Sequence, residues 1–286
     1  MDEQVLPGNN LEHLDHKLAE QYGDYAGYET GHSPTLETYG NNPHQEIKRL
    51  LKQLTTRESH ILDLGCGAGQ TLCQFAPHVA AAWGFDQEQN LLDGAQHRAQ
   101  NHGLTNVTFV AGNAANPEDV TKLPNTYFDL IFSERGPNMN QSLINKLKPG
   151  GYILQELVGG YDGFHLREIL GRRPFTVYAY RSQTDQMLAN MAELNLRPIS
   201  IREFFYDAFF QDVDHLHAYL TQVSASLNNW RIAPKPYDPT EDYEELILFA
   251  RYNTTPRGIR LLQHRLIFVW LHTPIHYYPI EGYPGR

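Results

Sequence analysis

The sequence predicts an α/β fold: a doubly wound, seven-stranded, mostly parallel sheet with a C-terminal antiparallel hairpin and a helical cap insertion. Three observations lead there. Strand-like and helix-like segments alternate regularly from about residue 45 to residue 157, which is the pattern of parallel strands joined by crossover helices. A glycine-rich turn, Gly65-Cys66-Gly67-Ala68-Gly69, follows the first apolar strand. After residue 180 the alternation gives way to an aromatic strand and, some fifty residues later, a final apolar strand.

Residues 1–44 are polar and rich in turn formers, and read as an entry or cap segment. From Pro43 to Leu54 the apolar residues Ile47, Leu50, Leu51 and Leu54 recur at spacings of three and four, as an amphipathic helix requires. His60–Leu64 is a short apolar run suited to a buried parallel strand. Strands are then expected at 81–85, 107–110, 128–132 and 152–157, with helices between them, a short turn at Lys148-Pro149-Gly150-Gly151, and a helix over 184–196. The core is expected to span 45–210, a helical cap 211–256, and the last strand and tail 257–286. Ile199–Phe210 and the runs Gly258–Arg260 and Leu266–Leu271 are the expected antiparallel partners.

A chain of 286 residues can bury a sizeable core, and its formal net charge of -10 argues against a broad electrostatic grip on phosphates. A nucleic-acid partner is therefore not expected, and a small molecule is. Two cysteines, Cys66 and Cys73, are too few for a disulfide framework or a cysteine-built metal site, and read as reduced thiols of a cytoplasmic protein. No run reaches the roughly 18 apolar residues that a membrane helix needs. A metal site at Asp214-His215-Leu216-His217 is not expected, because residues two apart face different sides of a helix.

The chemistry concentrates after the strands. Turn glycines let a ligand approach backbone N–H groups that a Cβ would shield. A dinucleotide fingerprint would want a glycine at position 70, where the chain has Gln70, and Asp63 stands two residues before the first glycine. A carboxylate there suits a ligand with an ammonium group and no phosphate. Asp86 closes the second strand, where it can accept two hydrogen bonds from vicinal ribose hydroxyls, with Gln87 beside it. Gly112-Asn113-Ala114 offers an amide after the third strand, and Ser133-Glu134-Arg135 puts polar groups after the fourth.

These residues and the order of elements resemble the class I S-adenosylmethionine-dependent methyltransferases, closely over residues 45–160 and only in strand order beyond 180. The resemblance implies S-adenosylmethionine as cofactor, with Asp63 and Gly65, Cys66, Gly67, Ala68 and Gly69 at its methionine part, Asp86 at the ribose and Asn113 near the adenine; Gln87 beside Asp86, Gly112 and Ala114 beside Asn113, and Ser133 next to where the reacting methyl would sit are expected to add to the cofactor site. The family often has Asp at position 113; this chain has Asn113. Tyr39 resembles the aromatic residue that often covers the cofactor in related enzymes.

Methyl transfer from a sulfonium is an in-line displacement, so alignment and desolvation supply most of the rate and catalytic residues leave little trace in sequence. Ser133-Glu134-Arg135-Gly136 matches neither the Pro-Pro-aromatic run of enzymes methylating exocyclic base amines nor the Pro-Cys pair of cytosine-C5 enzymes. Glu134 is a candidate to hold the cofactor's amino group or steer substrate, and Arg135 to pair an acceptor carboxylate; the alternative is that both pair with neighbours and shape the loop. His165, just past the fifth strand, is a candidate general base by position. The aromatic run Phe204–Phe210 reads either as core or as the wall of an aromatic pocket. The reading is a methyltransferase acting on O, N or C of a small molecule, with an RNA methyltransferase and a non-catalytic S-adenosylmethionine-binding protein as alternatives.

Overall fold

The computed structural model describes residues 35–38, 42–171, 183–222 and 237–273. Tyr39 and most of the expected entry segment lie outside them, as does part of the expected cap.

Strand β1 (Thr35–Thr38) comes first, then helix α1 (Pro43–Leu54). The Asn42 side chain accepts the His44 N–H at 2.8 Å and Pro43 opens the first turn, so α1 starts with a capped end. Its apolar stripe buries Ile47, Leu50 and Leu51. There follow β2 (His60–Leu64), α2 (Gln70–Phe75), β3 (Ala81–Asp86), α3 (Gln89–Asn101), β4 (Val107–Ala111), α4 (Pro117–Val120), β5 (Phe128–Glu134), α5 (Gln141–Ile144) and β6 (Leu147–Val158). After α6 (Phe164–Ile169) and α7 (Gln183–Glu193) come β7 (Leu196–Phe210), α8 (Val213–Gln222), α9 (Tyr243–Asn253), the two-residue β8 (Thr254–Thr255) and β9 (Gly258–His272).

The sheet order is β1-β7-β9-β6-β5-β2-β3-β4, with β2 to β6 parallel and β7 and β9 antiparallel to their neighbours. This is a mostly parallel sheet with one antiparallel hairpin. The expected seven strands are joined by two short ones: β1 pairs with the outer edge of β7 and β8 folds back on β9, giving nine among the described residues. Four residues, Thr-Leu-Glu-Thr, show too little alternation to stand out before the partner strand is known. The expected turn at Lys148–Gly151 instead lies within β6, with a register irregularity opposite Phe128 and Leu130.

Alternate residues of the central strands feed two apolar layers. Leu62, Leu64, Ile131, Ile153, Phe268 and Trp270 pack on one face, toward α4, α5 and α7. Ile61, Leu130, Phe132, Leu154 and Val269 pack on the other, under α1 and α2. A third cluster lies where β7 and β9 run on beyond the end of β6. There Phe210, Ile259 and Leu261 meet Leu166 of α6, Leu216 and Leu220 of α8, and Leu246 and Phe249 of α9.

Charged residues are buried beside this third cluster. Arg265 pairs with Asp162 and donates Nη2 to Gln263 Oε1 at 2.8 Å, and Arg260 Nε lies 2.8 Å from Asp207 Oδ2. His217 meets the Tyr237 hydroxyl at 2.7 Å and Asp214 accepts from Tyr243 at 3.1 Å, so both side chains tie α8 to its surroundings.

Phe132 is fully buried between β2, β6 and α1. Phe132→Ala is expected to cost about 3–5 kcal/mol of unfolding free energy, read as a lower denaturation midpoint in urea with the slope unchanged.

Candidate functional site

At β2 the winding reverses: the chain proceeds to β3 and β4 on one side and returns to β5 and β6 on the other. A crevice opens outside the carboxyl ends of such strands, and ligands of open α/β sheets bind in it. The glycine turn, Asp86, Gly112–Ala114 and Ser133–Arg135 all follow strands that end there.

Gly65, Gly67 and Gly69 have φ of 78°, 52° and 72°, the left-handed region where a side chain is strained, and this winds the turn tightly. Gly67 donates its N–H to Asp86 Oδ2 at 2.9 Å, and Glu88 donates its N–H to Asp86 Oδ1 at 3.0 Å. Each carboxylate oxygen of Asp86 thus holds one backbone donor and keeps a second acceptor direction for a ligand. Ala68 is held from below: Arg98 of α3 donates Nε to its carbonyl at 2.9 Å. Arg98 is buried, and burial pulls its guanidinium down to about 10. Cys66 and Cys73 are free, buried thiols; burial, with the Asp63 charge, pushes Cys73 up to about 12, and burial first, then Asp63 and Asp86, raise Cys66 well above the thiol range.

Asp63 is 4 % exposed, and among the described residues its carboxylate accepts no hydrogen bond. Burial pushes it well above the usual carboxylate range, and the charges of Glu134 and Asp86 push the same way. Glu134 and Glu156 stand side by side on β5 and β6. Burial raises Glu134 too, but hydrogen bonds from His44 and Thr71 and the charges of His44 and Arg135 outweigh it and leave it below its ordinary value. Burial keeps Glu156 raised against Arg135 and Arg265. Four carboxylates therefore converge on one crevice against Arg135 and His44.

Other expected site residues take definite places. Arg135 Nε lies 3.3 Å from Glu156 Oε2, so its charge is shared with a neighbour, as one of the two readings of the loop has it. Ser133 is buried at 1 % exposure and its Oγ has no hydrogen-bond partner among the described residues. It is sealed by Gly136, where a Cβ would run into both that hydroxyl and the Leu64 carbonyl. Asn113 is exposed, and its Oδ1 accepts the Ala115 N–H at 2.8 Å. Gly112 donates to the Asp86 carbonyl at 2.9 Å, Ala114 is buried with its carbonyl held by Asn140, and Gln87 is exposed at the strand exit. His165 is exposed on α6 and lines a cavity with Tyr161, Phe164 and Phe205. Arg98, Thr71, His44 and Glu156 were not anticipated; of these only Arg98 leaves a signal, a charge set in the apolar stripe Leu92-Ala95-Ala99 of its helix.

The family model for a methyltransferase domain matches residues 55–192. Those residues form a methyltransferase domain. It is 32% identical over 88 residues to the uncharacterized methyltransferase YcgJ of Bacillus subtilis, covering 30% of this chain and 33% of that one. The crystal structure of YcgJ superposes with a TM-score of 0.52 at 19% identity, over 81% of this chain and 100% of that one. A 23S rRNA (uracil(1939)-C(5))-methyltransferase of Francisella tularensis is 33% identical over 95 residues, 32% of this chain and 21% of its own length. A ubiquinone biosynthesis O-methyltransferase of Coxiella burnetii is 28% identical over 132 residues, 44% of this chain and 54% of its own. The chain thus spans between about a fifth and about a half of these relatives. Among the described residues no helix is long and apolar enough to cross a membrane.

The raised carboxyl of Asp63 has a consequence for stability. Unfolded Asp titrates near 3.9. From there up to the higher folded value the native state holds a proton that the unfolded state has lost, so this group's contribution to stability falls as pH rises through that window. Asp63→Asn is expected to raise the melting temperature of the ligand-free protein at pH 7, with the gain vanishing toward pH 4. Equal melting temperatures for the two proteins at pH 7 would contradict the assignment.

Proposed function

We propose that the chain transfers a methyl group from S-adenosylmethionine to O, N or C of a small-molecule acceptor. The observation that carries this is Asp63: a buried carboxylate with no hydrogen-bond partner among the described residues, in a crevice already rich in acids, suits a ligand with cationic centres and no phosphate. S-adenosylmethionine has an ammonium and a sulfonium. The residues fit it: Asp63 and the turn Gly65–Gly69 would hold the methionine part, Asp86 with its two spare acceptor directions the ribose, and Gly112–Ala114 the base. Bound there, the cofactor supplies an activated methyl for in-line displacement.

What remains for the chain is orientation and exclusion of water. Arg98 and Asp86 fix the turn from two sides, so little backbone order has to be gained on binding. Glu134 ends β5 at the crevice, and its lowered pKa keeps it ionised at neutral pH, able to orient an acceptor N–H or O–H. The small-molecule reading is favoured over RNA by the net charge of -10 and by the acids at the crevice, both repulsive to phosphates.

Calorimetry with S-adenosylhomocysteine should give one saturable site. Asp86→Ala is expected to weaken it about 10- to 100-fold, the loss of charge-assisted hydrogen bonds, while circular dichroism stays unchanged. A folded chain that takes up neither S-adenosylmethionine nor S-adenosylhomocysteine would refute the proposal. Labelled-methyl transfer into a metabolite extract should exceed transfer into total RNA, and the reverse ratio would favour the RNA reading.

A further inference from the structure

A cavity of about 320 Å³ lies beside the crevice, lined by Tyr161 and Phe164 after β6, Phe205 on β7, Phe249 on α9, and Leu261 and Leu262 on β9. Its volume falls in the range of small-molecule sites. Val158, Arg265 and Phe204 form the last row in which β6, β9 and β7 stand side by side. Phe205 and Leu261–Leu262 lie past that row, at the same carboxyl end of the sheet as the glycine turn. From β2 to β9 there are three strand steps, roughly 14 Å at about 4.8 Å each, and the Glu134–Arg135–Glu156 strip lies between.

The walls are aromatic and fixed before any ligand arrives. Tyr161 and Phe205 are 52% and 43% exposed, unusual for such side chains. The Tyr161 ring lies 6.1 Å from Phe164 and 6.2 Å from Phe205, tilted against both. Behind Phe205 the imidazole of His264 stacks at 4.4 Å and 7°. His264 Nδ1 accepts the Tyr161 N–H at 3.1 Å and Nε2 lies 2.8 Å from Glu203, which together set its tautomer. Gly159 has no room for a Cβ against the same ring. The loop carrying Tyr161 is thus clamped to β9. The guanidinium on the lining, Arg260, already pairs with buried Asp207.

We infer that this cavity holds the non-reacting body of the methyl acceptor, and that the acceptor is a small, planar, uncharged aromatic molecule. The inference rests on the methyltransferase reading. Tilted rings about 6 Å apart present faces and edges that a flat ring can stack against. An anionic acceptor would have to displace Asp207 from Arg260, and a polynucleotide would meet the acids of the crevice.

The test uses the full chain and 2-naphthol as probe, by calorimetry, with and without saturating S-adenosylhomocysteine. One saturable 2-naphthol site is expected. Phe205→Ser and Tyr161→Ala should each weaken it about tenfold or more while leaving S-adenosylhomocysteine affinity within about twofold. Tyr252→Ala, at a ring 75% exposed and outside the cavity lining, should change neither. Naphthalene-2-carboxylate should bind more weakly than 2-naphthol. Unaltered 2-naphthol binding in Phe205→Ser and Tyr161→Ala, no saturable binding in either state, or tighter binding of the carboxylate would each overturn the inference. Failure of S-adenosylhomocysteine to bind, with 2-naphthol binding still dependent on Phe205, would instead strike the parent reading and leave the cavity as a ligand site.

Discussion

Everything in the crevice follows from β2 having a parallel neighbour on each side, β3 reached directly and β5 reached by a return. That arrangement forces two connections to leave the same edge in opposite directions, and the gap between them is the one place where backbone N–H groups of a turn, a strand-end carboxylate from β3 and a polar loop from β5 can converge. The turn must be tight because Leu64 passes close beneath Gly136, and it must stay open on its upper side because Gly67 already leans on Asp86. The sheet topology therefore decides which side chains meet, and the glycines decide how closely.

The second constraint is charge. Among the described residues Asp63, Asp86, Glu134 and Glu156 meet against Arg135, His44 and, at Glu156, Arg265, an arrangement that a protein selected for stability alone would replace with apolar residues. Local rules broken at one place, with packing sound elsewhere, mark sites where binding rather than folding has shaped the sequence. Arg98 belongs to the same account, since a guanidinium held under the turn at the expense of its hydration is justified by the backbone it fixes.

Much of the fold was legible because parallel strands buried on both faces read as short apolar runs, and because helices between them keep a 3.6-residue period. The glycine turn and both aspartates were legible for a local reason: their spacing is itself the chemistry. What spans the chain was not. Glu156 meets Arg135 only because β5 and β6 align in register, and Thr71 and His44 reach Glu134 only once α1 and α2 are packed. Phe204–Phe210 was ambiguous between core and pocket because it is both: alternation sends Phe204, Tyr206, Ala208 and Phe210 inward on one face and turns Phe205 to the cavity on the other. Among histidines, position after a strand singled out His165, which does line the cavity, whereas His264, which backs Phe205 from behind, could not be found because its partners Glu203, Phe205 and Tyr161 lie roughly sixty to one hundred residues away in sequence.

Cys66 lies inside the glycine turn, its sulfur close under Gly84, and Cys73 is on the helix that follows. Both thiols are buried and held in the unreactive protonated form, so the closed protein offers an alkylating reagent almost no thiolate. Modification has to wait for a local opening of the turn. The rate of thiol labelling is thus a built-in clock for breathing at the cofactor cradle, one that any occupant of that cradle would slow.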